Sequence, residues 1–94
     1  MSERIEHPTP EQILAAVLRE RRHQDEKRGT PAERNLALMD YRRIARRELQ
    51  EAAEAFTVND SLAETLQAMT VLWAAIENHG LVERDDFVWL KSTI

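Results

Sequence analysis

Glu48 sits where helical geometry would not place a charge without a reason. At about 100° per residue, Tyr41, Ile44, Ala45, Leu49, Ala52 and Phe56 share one apolar arc, and Glu48 projects into its middle between Ile44 and Ala52. Glu51 lies at the edge of that arc, one turn further on. An ionised carboxylate facing a core is costly unless a cation, a metal or hydrogen bonds compensate it. Carboxylates spaced i and i+3 share a face and can grip one hard divalent cation, leaving waters in the remaining coordination positions. A later helix offers a counterpart in Glu64, which is surrounded by Ala68, Val71 and Ala75. Two alternatives to a cation site stay open. Glu64 lies three residues after Ser61, which is the spacing of a capping box, and Glu48 and Glu51 have arginines of the first helix as alternative partners. Glu33, Glu54 and Glu77 read as solvent-facing.

A second polar intrusion lies near the N-terminus. The stripe Ile13, Leu14, Val17, Leu18 continues in register into Arg21, Gln24 and Arg28, so a core-facing face turns polar halfway along. It is either a pocket wall with donors for an anionic ligand or the end of a helix that projects beyond the core. Other chemistries find no support. The chain has no cysteine and two glycines, so it can build neither a thiolate site nor a phosphate-binding glycine loop. His7, His23 and His79 have no partners at metal-ligand spacing.

The elements that must position these groups are helical. Thr9 as N-cap, Pro10 at the first helical position and Gln12 three residues past the cap open a helix that Gly29 ends after Arg28. Thr30, Pro31 and Glu33 repeat the start signal for a second helix reaching about Phe56, with Asn35 and Asp40 as points of interruption. Asp60 or Ser61 caps a third helix, which runs to His79 before Gly80. Glu83–Lys91 reads as a short terminal helix. The expectation is an all-α fold: an arm over residues 1–8, then one domain over 9–94 made of three main helices and a short C-terminal one. The third helix carries two apolar arcs, one of Leu62, Leu66, Met69, Leu72, Trp73 and Ile76 and one of Ala68, Val71 and Ala75. A 94-residue chain buries only about 60–65% of its unfolded surface, so the bundle is expected to be completed by dimerisation.

Composition narrows the partners. No apolar run is longer than Ile13–Leu18, which is far short of the roughly 20 residues a membrane span requires, and no signal peptide opens the chain, so a cytoplasmic protein is expected. The net charge of −4 hides a division: residues 1–47 hold 11 Lys/Arg against 8 Asp/Glu, and residues 48–94 hold 2 against 9. Arg42, Arg43, Arg46 and Arg47 fan over one helix face without interleaved aromatics, the pattern of a solvated face rather than a nucleic-acid groove.

The run Arg19-Glu20-Arg21-Arg22-His23-Gln24-Asp25-Glu26-Lys27-Arg28-Gly29, then Tyr41-x-x-Ile44 and Glu48-Leu49-Gln50-Glu51-Ala52-Ala53-Glu54-Ala55-Phe56, resembles small phage and bacterial MazG-like proteins. These are members of the all-α nucleoside triphosphate pyrophosphohydrolase superfamily. The resemblance covers roughly residues 13–77. In that family an RQDxKWG-like run precedes an EExxE helix, and an ExxD pair lies on the next helix. The second and third acids of EExxE fall on Glu48 and Glu51, and the last acid of ExxD falls on Glu64. The chain departs from the pattern at Arg47, Ser61 and Arg28, with Asp60 one residue out of register. The resemblance implies Mg²⁺-dependent (or Mn²⁺-dependent) release of pyrophosphate from a nucleotide by a homodimer or dimer of dimers. Glu48, Glu51, Glu64 and Asp60 would hold metal, with Glu48 and Glu51 catalytic and Arg21, Gln24 and Lys27 binding substrate. Arg47 and Ser61 imply the alternative, a non-catalytic helical dimer that senses nucleotide or binds protein.

Overall fold

The computed structural model describes residues 3–29, 33 and 35–84. Among them the chain forms three α-helices and no strand: α1 (Pro10–Arg28), α2 (Leu38–Glu54) and α3 (Val58–His79). No helix among the described residues is long and apolar enough to cross a membrane.

α1 has the bounds its cap residues dictate. Thr9 Oγ1 accepts from the Gln12 N–H, and the Gln12 side chain accepts from the Thr9 N–H at 2.9 Å. Gly29 ends the helix at φ 82°, a left-handed conformation that costs glycine little. Its N–H donates to the Asp25 carbonyl.

The second helical stretch breaks at Asn35, one of its expected points of interruption: Glu33 is helical, Asn35 is a turn, and α2 starts at Leu38. Thr30 and Pro31, the expected start, lie outside the described residues. Asn35 takes a left-handed φ of 51°, which asparagine tolerates better than most residues. The helix starts at Leu38, where the Asp40 carboxylate accepts from the Ala37 N–H and stands in for the capping side chain that alanine lacks. α2 ends at Glu54, leaving Phe56 fully exposed in the connection.

α3 starts earlier than expected. Thr57, not Asp60 or Ser61, is the N-cap, its hydroxyl accepting from the Asp60 N–H at 3.0 Å. Of the expected terminal helix, Glu83 and Arg84 are not helical and the rest lies outside the described residues.

The short connection folds α2 and α3 into an antiparallel hairpin, the most extensive helix pair among the described residues. Its core is Tyr41 and Ala45 of α2 against Val71, Ala74 and Ala75 of α3, with Leu36 and Ile44 packed alongside. Alanines at the contact let the two backbones approach closely. At the open end Asn78 Nδ2 donates to the Leu36 carbonyl, His79 Nε2 lies 2.8 Å from the same oxygen, and the Tyr41 ring meets His79 edge-on. Leu49, expected in the core, is half exposed. α1 docks on α3 with Val17, Arg21 and Gln24 as its buried residues.

Candidate metal centre

The hairpin brings Glu64 to Glu48 and Glu51, carboxylates that lie on a different helix. Glu48 and Glu51 lie one turn apart on α2, and Glu64 lies on the facing stretch of α3, two turns in from the Thr57 cap. One carboxylate oxygen from each lies within 4.8 Å of the others. Glu48 and Glu64 are half-buried and Glu51 is exposed, so the cluster opens to solvent on one side.

The alternatives to a cation site lose ground here. Ser61 is inside α3 rather than at its cap, so Glu64 closes no capping box. Among the described residues no ion pair includes Glu48, Glu51 or Glu64. The charges are instead left facing one another. A hydrogen bond with Glu48, partial burial and the Glu48 charge push the Glu64 carboxyl above its ordinary value, and the Asp60 charge adds to this against a hydrogen bond with Glu51 that opposes it. Carboxylates that face one another this closely form a site that a cation would relieve. Hard oxygen donors on two helices, with one side open for water, fit Mg²⁺ or Mn²⁺. Asp60 stays outside the three-carboxylate group, close enough to act on Glu64 through its charge alone.

Beside the cluster is a polar pocket of about 160 Å³. Glu48 forms part of its wall, with Gln24, His23, Lys27 and Arg28 of α1 and Gln67 of α3. Gln24 is buried, and its Nε2 donates to Gln67 Oε1 at 3.2 Å, while Gln67 Nε2 donates to Glu20. This amide chain fixes the pocket wall on both helices.

The structure thus places Gln24 and Lys27 in one pocket wall with Glu48 and gives Arg21 different work. The Arg21 guanidinium donates from Nε to Glu77 at 2.6 Å and from Nη1 and Nη2 to the two Asp25 oxygens. Burial alone would pull its pKa down, but the hydrogen bonds and charges of Glu77 and Asp25 outweigh this and hold it above the ordinary value. Arg21 ties α1 to α3 and does not line the pocket. Glu77 is exposed, as expected, and is its partner. The residues that sequence reasoning passed over are Glu20, His23 and Gln67. Gln67 carried a usable signal, because it falls between Ala68 and Ala74 on the buried side of α3 much as Glu48 falls within the α2 arc. The chain matches no protein-family model, no curated protein and no solved structure.

Proposed function

We propose that the three-carboxylate cluster binds a divalent cation, Mg²⁺ or Mn²⁺, and that the protein is a nucleoside triphosphate pyrophosphohydrolase of MazG-like ancestry, working as a homo-oligomer. The observation that carries the reading is the convergence of Glu48, Glu51 and Glu64 beside a pocket that contains Lys27, Arg28, His23 and Gln24. Acidic and basic groups share one wall, as a site for a metal-bound polyphosphate requires.

The pocket is smaller than the roughly 300 Å³ that encloses a whole ligand. It therefore grips part of a nucleotide, with the remainder over the open carboxylates. Lys27 and Arg28 supply positive charge to phosphate oxygens. Gln24, held by Gln67, presents an amide of fixed orientation to base or phosphate. A bound divalent ion would neutralise phosphate charge and lower the pKa of the attacking water. Glu48 and Glu64 would hold the cation, and Glu51, the exposed member, would accept the proton of that water. The water oxygen bonds to the α phosphorus as the bond from that phosphorus to the α–β bridging oxygen breaks, which gives monophosphate and pyrophosphate, and the proton goes to a Glu51 carboxylate oxygen.

A panel of canonical and modified nucleoside triphosphates, incubated with Mg²⁺ or Mn²⁺, tests the reading. Pyrophosphate release from at least one of them is expected, and Glu51→Gln should lower it by about 100-fold or more, the usual range for removing a positioned base. No turnover across the panel with either cation rejects the enzyme.

One observation favours the second reading, a non-catalytic nucleotide sensor or protein-interaction module. Arg47 is an exposed arginine next to Glu48, where the resembling family carries an acid. Nucleotide-induced thermal stabilisation without turnover selects that reading.

A further inference from the structure

The polar chain across the pocket wall has a fixed direction. Glu20 and Gln24 lie one turn apart on α1 and flank Gln67 of α3, and all three line the pocket. An ionised carboxylate only accepts hydrogen bonds, whereas an amide has one end that donates and one that accepts. Gln67 must therefore turn its Nε2 to Glu20, which leaves its Oε1 toward Gln24, and Gln24 must meet that oxygen with its own Nε2. The direction of an amide is set by the network around it. Here the charge on Glu20 decides it for both glutamines.

The free end of the chain is thus a carbonyl. Gln24 is 7% exposed, and among the described residues no donor reaches its Oε1. That oxygen is not sealed from solvent, so it opens on the pocket that Gln24 borders. A nearly buried acceptor without a donor is costly, and a ligand that supplies one removes the cost.

This polarity decides what Gln24 reads. Phosphate oxygens are acceptors themselves, and the cations of the same wall, Lys27 and Arg28, suit them instead. A sugar hydroxyl turns to donate or to accept, so a wall of fixed polarity distinguishes nothing in it. A nucleobase differs in this respect. Cytosine and uracil, or adenine and hypoxanthine, have nearly the same outline, but the first of each pair presents an amino group that donates and the second a carbonyl that accepts. The ring N–H of a keto base adjoins that carbonyl, and Glu20 and Glu48 add further acceptors to the wall it would face.

Resting on the nucleotide reading above, we propose that Gln24 Oε1 selects nucleotides whose base carries an exocyclic amino group over their keto counterparts. Glu20 is the positioning residue for this preference and acts through Gln67. Glutamine in place of Glu20 keeps the length and the hydrogen bond, but an amide there can donate as well as accept. The chain is then free to reverse and to present Gln24 Nε2 to the base.

Calorimetric titration of the full chain with Mn²⁺ and the α,β-imido analogues of dCTP, dUTP, dATP and dITP tests the proposal, beside pyrophosphate release from the four parent nucleotides. In at least one pair the amino member should bind about tenfold or more tighter than the keto member, the effect of one hydrogen bond gained against one acceptor left facing another. Glu20→Gln should largely erase that ratio, a change that a merely structural role for Glu20 would not produce. Should Glu20→Gln fail to fold, Gln24→Met, which fills similar space without a polar end, should erase it too. Amino preference without turnover upholds the proposal and rejects the pyrophosphohydrolase. Turnover with no preference, or with preference for the keto member, upholds the enzyme and overturns the proposal. A preference that survives Glu20→Gln or Gln24→Met overturns it as well, and binding of none of the four analogues overturns both.

Discussion

Lys27 and Arg21 began with the same assignment and end with different ones. Both are cations on α1 that the resemblance marks as substrate donors. Lys27 lines the pocket beside Glu48, and among the described residues no hydrogen bond or ion pair engages its ammonium group. Arg21 is 5% exposed and spends its Nε and both Nη atoms on Glu77 and Asp25. Lys27→Ala should therefore raise KM for the nucleotide about tenfold or more while leaving the melting temperature within about 2 °C, because an exposed lysine contributes little to stability. Steady-state kinetics beside a thermal scan decide it; an unchanged KM removes Lys27 from the substrate site. Glu48 was legible because a charge interrupts an apolar arc, which a helical wheel detects without a fold. The role of Arg21 was not, because its partner Glu77 lies 56 residues away and no local pattern connects the two.

At the scale of elements, the same asymmetry runs through the helices. α1 was legible to the residue, since Thr9, Pro10, Gln12 and Gly29 each act locally. The start of α3 was not, because Thr57, Asp60 and Ser61 all carry capping side chains and sequence alone does not rank them. The polar second half of the α1 stripe left two interpretations open. The structure resolves it as a docked face, with Arg21 and Gln24 more buried than Ile13 or Leu14. α1 thus holds to α3 through Val17 and a set of polar ties, whereas α2 and α3 share the apolar core. Helices with little apolar contact open first. Arg21→Met should cost about 1–3 kcal/mol, since it strips a buried hydrogen-bonded cation from two carboxylates that solvent can still reach. Amide exchange should accelerate across α1 and much less across α2 and α3. Arg21→Lys should restore little, because an ammonium lacks the fork that spans Glu77 and Asp25. Equal acceleration in all three helices would show that α1 does not open as a separate unit.

For the molecule as a whole, the cost of the carboxylate cluster and its proposed purpose share one observable, stability as a function of pH and divalent cation. The folded state raises the Glu64 pKa above its value in the unfolded chain. A carboxyl shifted in that direction stabilises the fold fully below the unfolded value, about 4.3, and loses that contribution as pH rises through the folded value. The metal-free protein at pH 7 therefore carries the full repulsion between Glu64 and Glu48 across the α2–α3 hairpin. Glu64→Gln should relieve it and stabilise the metal-free protein by on the order of 0.5 kcal/mol, the size of a partly exposed like-charge pair. A cation bound only by the folded state does the same for the native chain. At ten times its dissociation constant it contributes about 1.4 kcal/mol, roughly 5–10 °C in melting temperature for a domain of this size. Protons compete for the same oxygens, so the shift should shrink as pH falls from 7 to 5, and a chelator should reverse it. Thermal scans with and without Mn²⁺ at both pH values, on the native chain and on Glu64→Gln, measure every part of this. A cation shift of equal size in Glu64→Gln would place the ion elsewhere, whereas loss of the shift in a variant that is more stable without metal is the signature of a fold that tolerates repulsion at Glu64 in order to hold a cation there.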